Sequence, residues 1–266
     1  MIRHPYHAHY NEVPHLHATD DWVYEGGPEA LQAKMEEVGM DQLLHEQKHD
    51  NYLKGGKWPL STEEKKQIQL DEVACFSMCP KTHADQITQG IVELLQKDRL
   101  NPKQMTITDG CAGVGGVSMS FFVSNMFGKV TSVEIDASRA DLLTKNIDAI
   151  MSRRLQANTT EINILQKDYL EVMKTLQQDV VFFDPPFGGP GYKYYKKAVL
   201  FFAKRHIAEI ANELLTEANT QTKYVLIRTP ENFWAEYFEQ HLHKTLHCYR
   251  YLNLDTTSVF VVCKKS

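Results

Sequence analysis

The run DVVFF at residues 179–183 is almost wholly apolar and stops abruptly at Asp184-Pro185-Pro186-Phe187. A strand without polar alternation has no face for water, so it belongs inside a parallel sheet covered on both sides. Four further β-rich runs accompany it: MTIT (105–108), KVTSVEI (129–135), EINILQ (161–166) and KYVLIR (223–228). Stretches of helical character separate them, notably 194–218 and 231–242. This alternation predicts an α/β fold: a doubly wound sheet with helices on both faces and ligands at the C-terminal strand ends. The tail, LHCYRYLNL (246–254) then TTSVFVVC (256–263), reads as an antiparallel strand pair turning near Asp255.

Three segments follow from the pattern. Residues 1–27 crowd His4, His7, His9, His15 and His17 among Pro and Asn with no apolar period, which suits a flexible arm. Residues 28–71 form a small helical segment, in which Leu31, Met35 and Val38 follow i, i+4, i+7. Its second half, broken by Gly55-Gly56 and Pro59, is expected to be irregular around Trp58. The α/β domain then occupies 72–266, with Ile87, Ile91 and Leu94 marking a helix face before the first strand.

Charge and cysteine usage narrow the function classes. Lys and Arg total 29 against 34 Asp and Glu, a formal net charge of −5, which excludes a histone-like polycation but not a local basic face. No run approaches the ~20 apolar residues of a membrane span. The polar N-terminus lacks the apolar core of a secretory signal. Five scattered Cys fit a reducing intracellular compartment rather than a disulfide framework. Cys75 and Cys79 have no second pair at zinc spacing, so no metal is expected.

The first strand enters Asp109-Gly110-Cys111-Ala112-Gly113-Val114-Gly115-Gly116. Such glycines allow a tight turn and close approach of the backbone to a ligand. Ser118 stands where a dinucleotide fingerprint needs its third glycine, and no P-loop lysine follows. The second strand ends in Glu134-Ile135-Asp136, a carboxylate placed to accept two ribose hydroxyls, and the third ends at Asp168, placed for an adenine amine. Any one such acid is as easily a helix cap or a turn residue. Three at successive strand ends beside one glycine loop point to S-adenosylmethionine, with Asp109 facing the methionine end and Gly113 and Gly115 forming the floor.

The fourth strand supplies the chemistry. Base amines are poor nucleophiles because the lone pair is delocalised into the ring. Acceptors at Asp184 and the Pro185 carbonyl can hold the N–H bonds and aim that lone pair at a methyl group, and Phe187 offers a stacking face. The following stretch carries Lys193, Lys196, Lys197, Lys204 and Arg205 between Tyr192 and Arg205 without an acid. It reads either as a solvated helix face or as a place to hold phosphates.

Gly113-Val114-Gly115-Gly116, Glu134-Ile135-Asp136 and the Pro-Pro-aromatic-Gly-Gly-Pro-x-Tyr run resemble the trimethylguanosine synthases, class I methyltransferases acting on guanine N2 of RNA caps. Leu70-Asp71, Phe76-Ser77 and Pro80 are similar to the family's cofactor-bordering segment. The resemblance spans roughly Tyr52 to the C-terminus. It implies a Rossmann-like methyltransferase sheet, S-adenosylmethionine as cofactor with Phe76, Ser77 and Pro80 beside it, and a 7-methylguanosine-capped RNA as partner. It further implies that Phe187 stacks on the 7-methylguanine, with Tyr192, Asn146, Lys57, Trp58 and Arg228 on the substrate side. Asp184 replaces the family's usual Ser, and Phe187 its usual Trp. Another RNA or DNA base amino-methyltransferase is the alternative enzyme, and a non-catalytic cap-binding module the alternative outside enzymes. A monomer with no membrane association is expected.

Overall fold

A computed structural model describes residues 52–71, 73–154, 158–187, 192, 195–202, 204–217 and 221–265, with Cys75 and Phe76 described by backbone alone. The expected arm at 1–27 and the apolar period at 28–50 lie outside the described residues. Helices α1 (Thr62–Gln67), α2 (Ala74–Ser77) and α3 (Lys81–Lys97) precede strand β1 (Thr106–Asp109). Then come α4 (Gly116–Ser124), β2 (Lys129–Glu134), α5 (Ala137–Arg154), β3 (Glu161–Gln166), α6 (Tyr169–Val172) and β4 (Val180–Phe183). The short β5 (Phe201–Phe202) and β6 (Arg205–His206) lead to α7 (Ile207–Thr216), β7 (Tyr224–Pro230), α8 (Ala235–Gln240), β8 (Leu246–Leu254) and β9 (Thr257–Lys264).

The main sheet has the order β3-β2-β1-β4-β7-β9-β8. Its first five strands are parallel, and β9 runs antiparallel to both β7 and β8. The chain winds outward from β1 to β3, then returns to β4 on the other side of β1. That reversal opens a crevice at the C-terminal ends of β1 and β4.

Burial along β4 explains its apolar sequence. Val180 and Phe182 pack with α3 and α4 residues such as Ile87, Ile91, Val117 and Phe121. Val181 and Phe183 point the other way, to Ile207, Ile210, Ala211 and Leu214 of α7. Each fully buried side chain of this size contributes about 1.5–3 kcal/mol through removal of apolar surface from water.

Two expectations need correction. Among the described residues of the stretch 194–218 the helix runs from Ile207 to Thr216; before it, Phe201 pairs antiparallel with His206 and Phe202 with Arg205. A two-residue strand is too short for a period of 2 to show. The segment around Trp58 is likewise not wholly irregular, because α1 begins with a capping box. Ser61 Oγ accepts from Glu64 N at 3.1 Å, and Glu64 Oε2 accepts from Ser61 N at 2.7 Å. Ser61-x-x-Glu64 was the available signal.

This N-terminal segment is bolted along α5 at intervals of about two turns. Arg139 Nε donates to Asp71 at 3.2 Å, Asn146 holds Gln69, and Arg154 Nε donates to Glu64 Oε1 at 2.6 Å. Burial opposes the Glu64 charge, but Arg154 and the Ser61 bonds outweigh it and hold the carboxyl below its usual range. Apolar packing of Leu53, Leu60 and Ile68 against Leu143, Ile147 and Ile150 completes the attachment.

Candidate active site

Asp109, at the end of β1, is only 1% exposed. Its Oδ2 accepts from Ser118 Oγ at 2.7 Å, and Ser118 in turn accepts from Ser132 Oγ at 2.8 Å. The serine that breaks the dinucleotide pattern thus serves the strand-end acid. Asp109 Oδ1 is buried with no hydrogen-bond partner among the described residues. Burial pushes this carboxyl up to about 7; the Ser118 bond opposes the rise and the nearby Asp184 charge adds to it. A buried, half-satisfied carboxylate facing a crevice is a receptor for a cationic donor.

The glycine loop follows. Gly113 and Gly115 adopt φ of +55° and +102°, in the left-handed region that favours glycine. A Cβ on Gly113 would meet nothing within 4 Å, so the backbone here borders open space. At Gly116 a Cβ would lie 2.8 Å from Met78 Cγ and 3.2 Å from Cys79 N. The segment from Ser77 to Pro80 therefore packs on the loop, with Ser77 exposed and Pro80 at the start of α3. The Phe76 side chain lies outside the described residues.

Glu134 is buried and latches the same loop. Its Oε2 accepts from Gly113 N at 2.8 Å and its Oε1 from Asp136 N at 2.9 Å. Each oxygen keeps a second lone pair for a ligand hydroxyl. Ile135 beside it is 63% exposed, the one large hydrophobic so exposed among the described residues. Sequence reasoning passed over it, although an aliphatic residue between two acids at a strand end was the signal. Asp168 caps α6, accepting from Leu170 N at 2.9 Å.

Across the crevice, Asp184 Oδ2 accepts from Arg228 Nη1 at 2.8 Å. Burial raises the Asp184 carboxyl from its usual range, and the Arg228 charge and hydrogen bond oppose the rise. Asp184 N donates to Cys111 Sγ at 3.1 Å, which joins the glycine loop to the β4 loop. Burial, reinforced by the Asp109 and Asp184 charges, pushes the Cys111 thiol well above its ordinary range, so it stays protonated. Pro185 is buried and Pro186 exposed. Phe187 meets Tyr192 edge-on, with centroids 5.2 Å apart and an interplanar angle of 78°. The Arg228 guanidinium lies 5.9 Å from the Phe187 ring centroid.

A sequence model of the RNA cap guanine-N2 methyltransferases matches residues 104–250, more than half of the chain. The chain belongs to the RNA cap guanine-N2 methyltransferase family. It is 33% identical over 138 residues to an uncharacterized protein of Acanthamoeba polyphaga mimivirus, covering 51% of this chain and 50% of that one. It is 29% identical over 132 residues to the trimethylguanosine synthase of Schizosaccharomyces pombe, covering 47% of this chain and 48% of the relative. The aligned region thus spans about half the length of these curated relatives. Among solved structures, the 16S rRNA methylase ArmA is similar over 76% of this chain and 95% of its own, at 16% identity and a TM-score of 0.45. TrmN from Thermus thermophilus is similar over 67% of this chain and 48% of its own, at 16% identity and a TM-score of 0.42.

In this chain the residues expected on the substrate side divide. Phe187, Tyr192 and Arg228 gather beside Asp184. Asn146 does not offer its amide to a ligand. It is 0% exposed, accepts from Gln69 N at 2.7 Å, and donates to the Gln69 and Val114 carbonyls, both at 2.9 Å. It braces the glycine loop against the N-terminal segment. Arg228 too is turned inward, as the counter-ion of Asp184. Lys57 and Trp58 are held on α3: Lys57 Nζ donates to Gln89 at 2.7 Å, and Trp58 N to Asp85 at 2.9 Å. Asn232 was not foreseen. Its Nδ2 donates to the Tyr192 and Tyr195 carbonyls at 2.9 and 2.6 Å, fixing the strand-end loop.

Proposed function

We propose that the protein transfers methyl from S-adenosylmethionine to the exocyclic N2 of guanine in a 7-methylguanosine RNA cap. The observation that carries this reading is the Asp184-Pro185-Pro186-Phe187 loop at the end of β4, its carboxylate set by Arg228 and its ring packed on Tyr192.

The residues present fit the cofactor. Gly113 borders open space, Asp109 Oδ1 is an unsatisfied buried acceptor suited to an ammonium, and Ile135 offers an apolar surface beside Glu134. Glu134 would accept ribose hydroxyls, Ile135 would pack on the adenine, and Asp168 would accept from the adenine amine. When bound, the cofactor supplies an electrophilic methyl on a sulfonium.

The remaining work falls to this chain's own groups. Arg228 occupies Asp184 Oδ2, which leaves Oδ1 to accept one amine N–H and the Pro185 carbonyl to accept the other. Holding both N–H bonds directs the lone pair away from the acceptors and toward the cofactor side. As the nitrogen gains positive charge its proton is drawn to Asp184 Oδ1, then lost to water. Phe187 gives the purine a face, and for a cationic 7-methylguanine that face adds roughly 1–2 kcal/mol when desolvated.

One observation favours a second reading, methylation of an uncharged base in another RNA or DNA. The Arg228 guanidinium already lies beside Phe187 and works against a second cation there. Comparing methyl transfer to 7-methylated and unmethylated cap dinucleotides separates the two.

A further inference from the structure

Lys197, Trp234, Tyr237 and His241 form a row of cation and rings that the proposed chemistry leaves unused. Lys197 Nζ sits 4.3 Å from the Trp234 ring centroid. Trp234 stacks on Tyr237 at 4.9 Å and 28°, and Tyr237 meets His241 at 4.3 Å. Spacings of three and four residues put these rings on one stripe of α8 and its flanks. The exposed Glu236 and Glu239 fall on the opposite side of that helix.

The row is tied directly to the active-site loop. Trp234 N donates to the Ala198 carbonyl at 2.9 Å, and Ala198 N to the Asn232 carbonyl at 2.8 Å. Asn232 grips the Tyr192 carbonyl, and the Tyr192 ring packs on Phe187. Trp234 also follows β7 by only a few residues, so the row starts at the sheet edge that carries Asp109 and Asp184. Lys196 and Lys197, in the acid-free stretch of the sequence, are exposed beside it.

We propose that this row binds the single-stranded RNA leading away from the modified guanosine, an inference that rests on the capped-RNA reading above. Every base has a π face, so ring stacking holds a single strand without reading its sequence, while lysines neutralise phosphates. The ammonium over Trp234 occupies the place of a base. An incoming base displaces the Lys197 stem from the indole, and the ammonium moves onto a neighbouring phosphate.

The test compares a 7-methylguanosine-capped dinucleotide with a capped, unstructured ten-nucleotide RNA, using wild type, Lys197→Glu and Trp234→Leu. Wild type is expected to show roughly tenfold higher kcat/KM on the longer RNA at low salt. Each variant brings that ratio close to one. A wild-type ratio near one, or variants that harm both substrates equally, overturns the proposal. A binding arm works without turnover: fluorescence anisotropy with an uncapped ten-nucleotide RNA, whose Kd should rise at least fivefold in Lys197→Glu, with a shallower salt slope. Loss of dinucleotide turnover with retained, variant-sensitive RNA binding would overturn the cap reading and leave the RNA row standing. Unchanged binding in both folded variants overturns the row.

Discussion

Asp184 and Arg228 meet across the neighbouring strands β4 and β7 in an ion pair of 2.8 Å, with side chains only 15% and 9% exposed. Register explains the meeting. Phe183 pairs with Ile227, so the next residue of each parallel strand lands side by side on the same face. The acid of the loop after β4 is thereby fixed through one oxygen by a cation that no solvent screens well.

Arg228→Leu should therefore lower stability by about 3–5 kcal/mol, since it strands a largely buried charge. It should also move the pH dependence of turnover. Arg228 holds the Asp184 carboxyl down against burial, so its loss raises the pKa. An activity that needs the anion is lost as pH falls through that pKa, so the acid limb of kcat/KM shifts to higher pH. Arg228→Lys should recover part of both effects. A pH profile of Arg228→Leu that overlays wild type would show the pair to be structural only.

Asp109 carries a second pH signature. Its pKa rises from 3.8 in the unfolded chain to about 7 in the fold, so the folded state holds a proton that the unfolded state has released. Stability contributed by this group is thus present at low pH and lost, by up to about 1.4 kcal/mol per unit, as pH rises toward neutrality. Asp109→Asn should remove that slope from thermal melts. Binding of S-adenosylhomocysteine should behave in the opposite sense, tightening as pH rises through 7 because the ionised carboxylate pairs with the ligand ammonium. Calorimetry at several pH values checks this, and affinity flat with pH in wild type would count against the assignment.

Glu134→Ala removes the acceptor for both Gly113 N and Asp136 N. A loss of about 1–3 kcal/mol in affinity for S-adenosylhomocysteine is expected, together with a lower Tm. Glu134→Gln keeps one acceptor oxygen and should fall between. Affinity indifferent to both changes would mean that this carboxylate only latches the loop.

Asn146 separates a brace from a ligand contact. Asn146→Ala leaves the Val114 carbonyl unpaired in the interior and removes two part-buried bonds to Gln69, a cost of about 1–3 kcal/mol. Because Val114 lies in the glycine loop, KM for the cofactor should rise more than KM for the acceptor. A normal melting temperature with a raised acceptor KM would restore Asn146 to the substrate side.

How far the sequence carried the reading depends on the range of the interaction. The five parallel strands and the C-terminal pair were legible within a residue or two, because strand periodicity and the apolar run at Val180–Phe183 are local patterns. The glycine loop and the strand-end acids were legible for the same reason. The inward turn of Arg228 was not, since it depends on the β4–β7 register, which no local pattern encodes. Nor was the burial of Asn146, which the resemblance put on the substrate side, because its face of α5 is covered by a segment 77 residues earlier in the chain. The hairpin of Phe201–Phe202 with Arg205–His206 hid inside a basic stretch whose composition suits a helix equally well.

A 7-methylguanosine cap as substrate requires the Phe187 ring to favour a cationic purine. The decisive measurement is kcat/KM for methyl transfer from S-adenosylmethionine to a 7-methylated and an unmethylated guanosine cap dinucleotide, with the product's methyl position assigned by mass spectrometry. The expected result is transfer to N2, preference for the 7-methylated form, and a Phe187→Leu variant in which that preference shrinks toward one through loss of the cation–π contribution. Equal turnover of both dinucleotides by wild type, or a methyl placed anywhere other than N2, would contradict it.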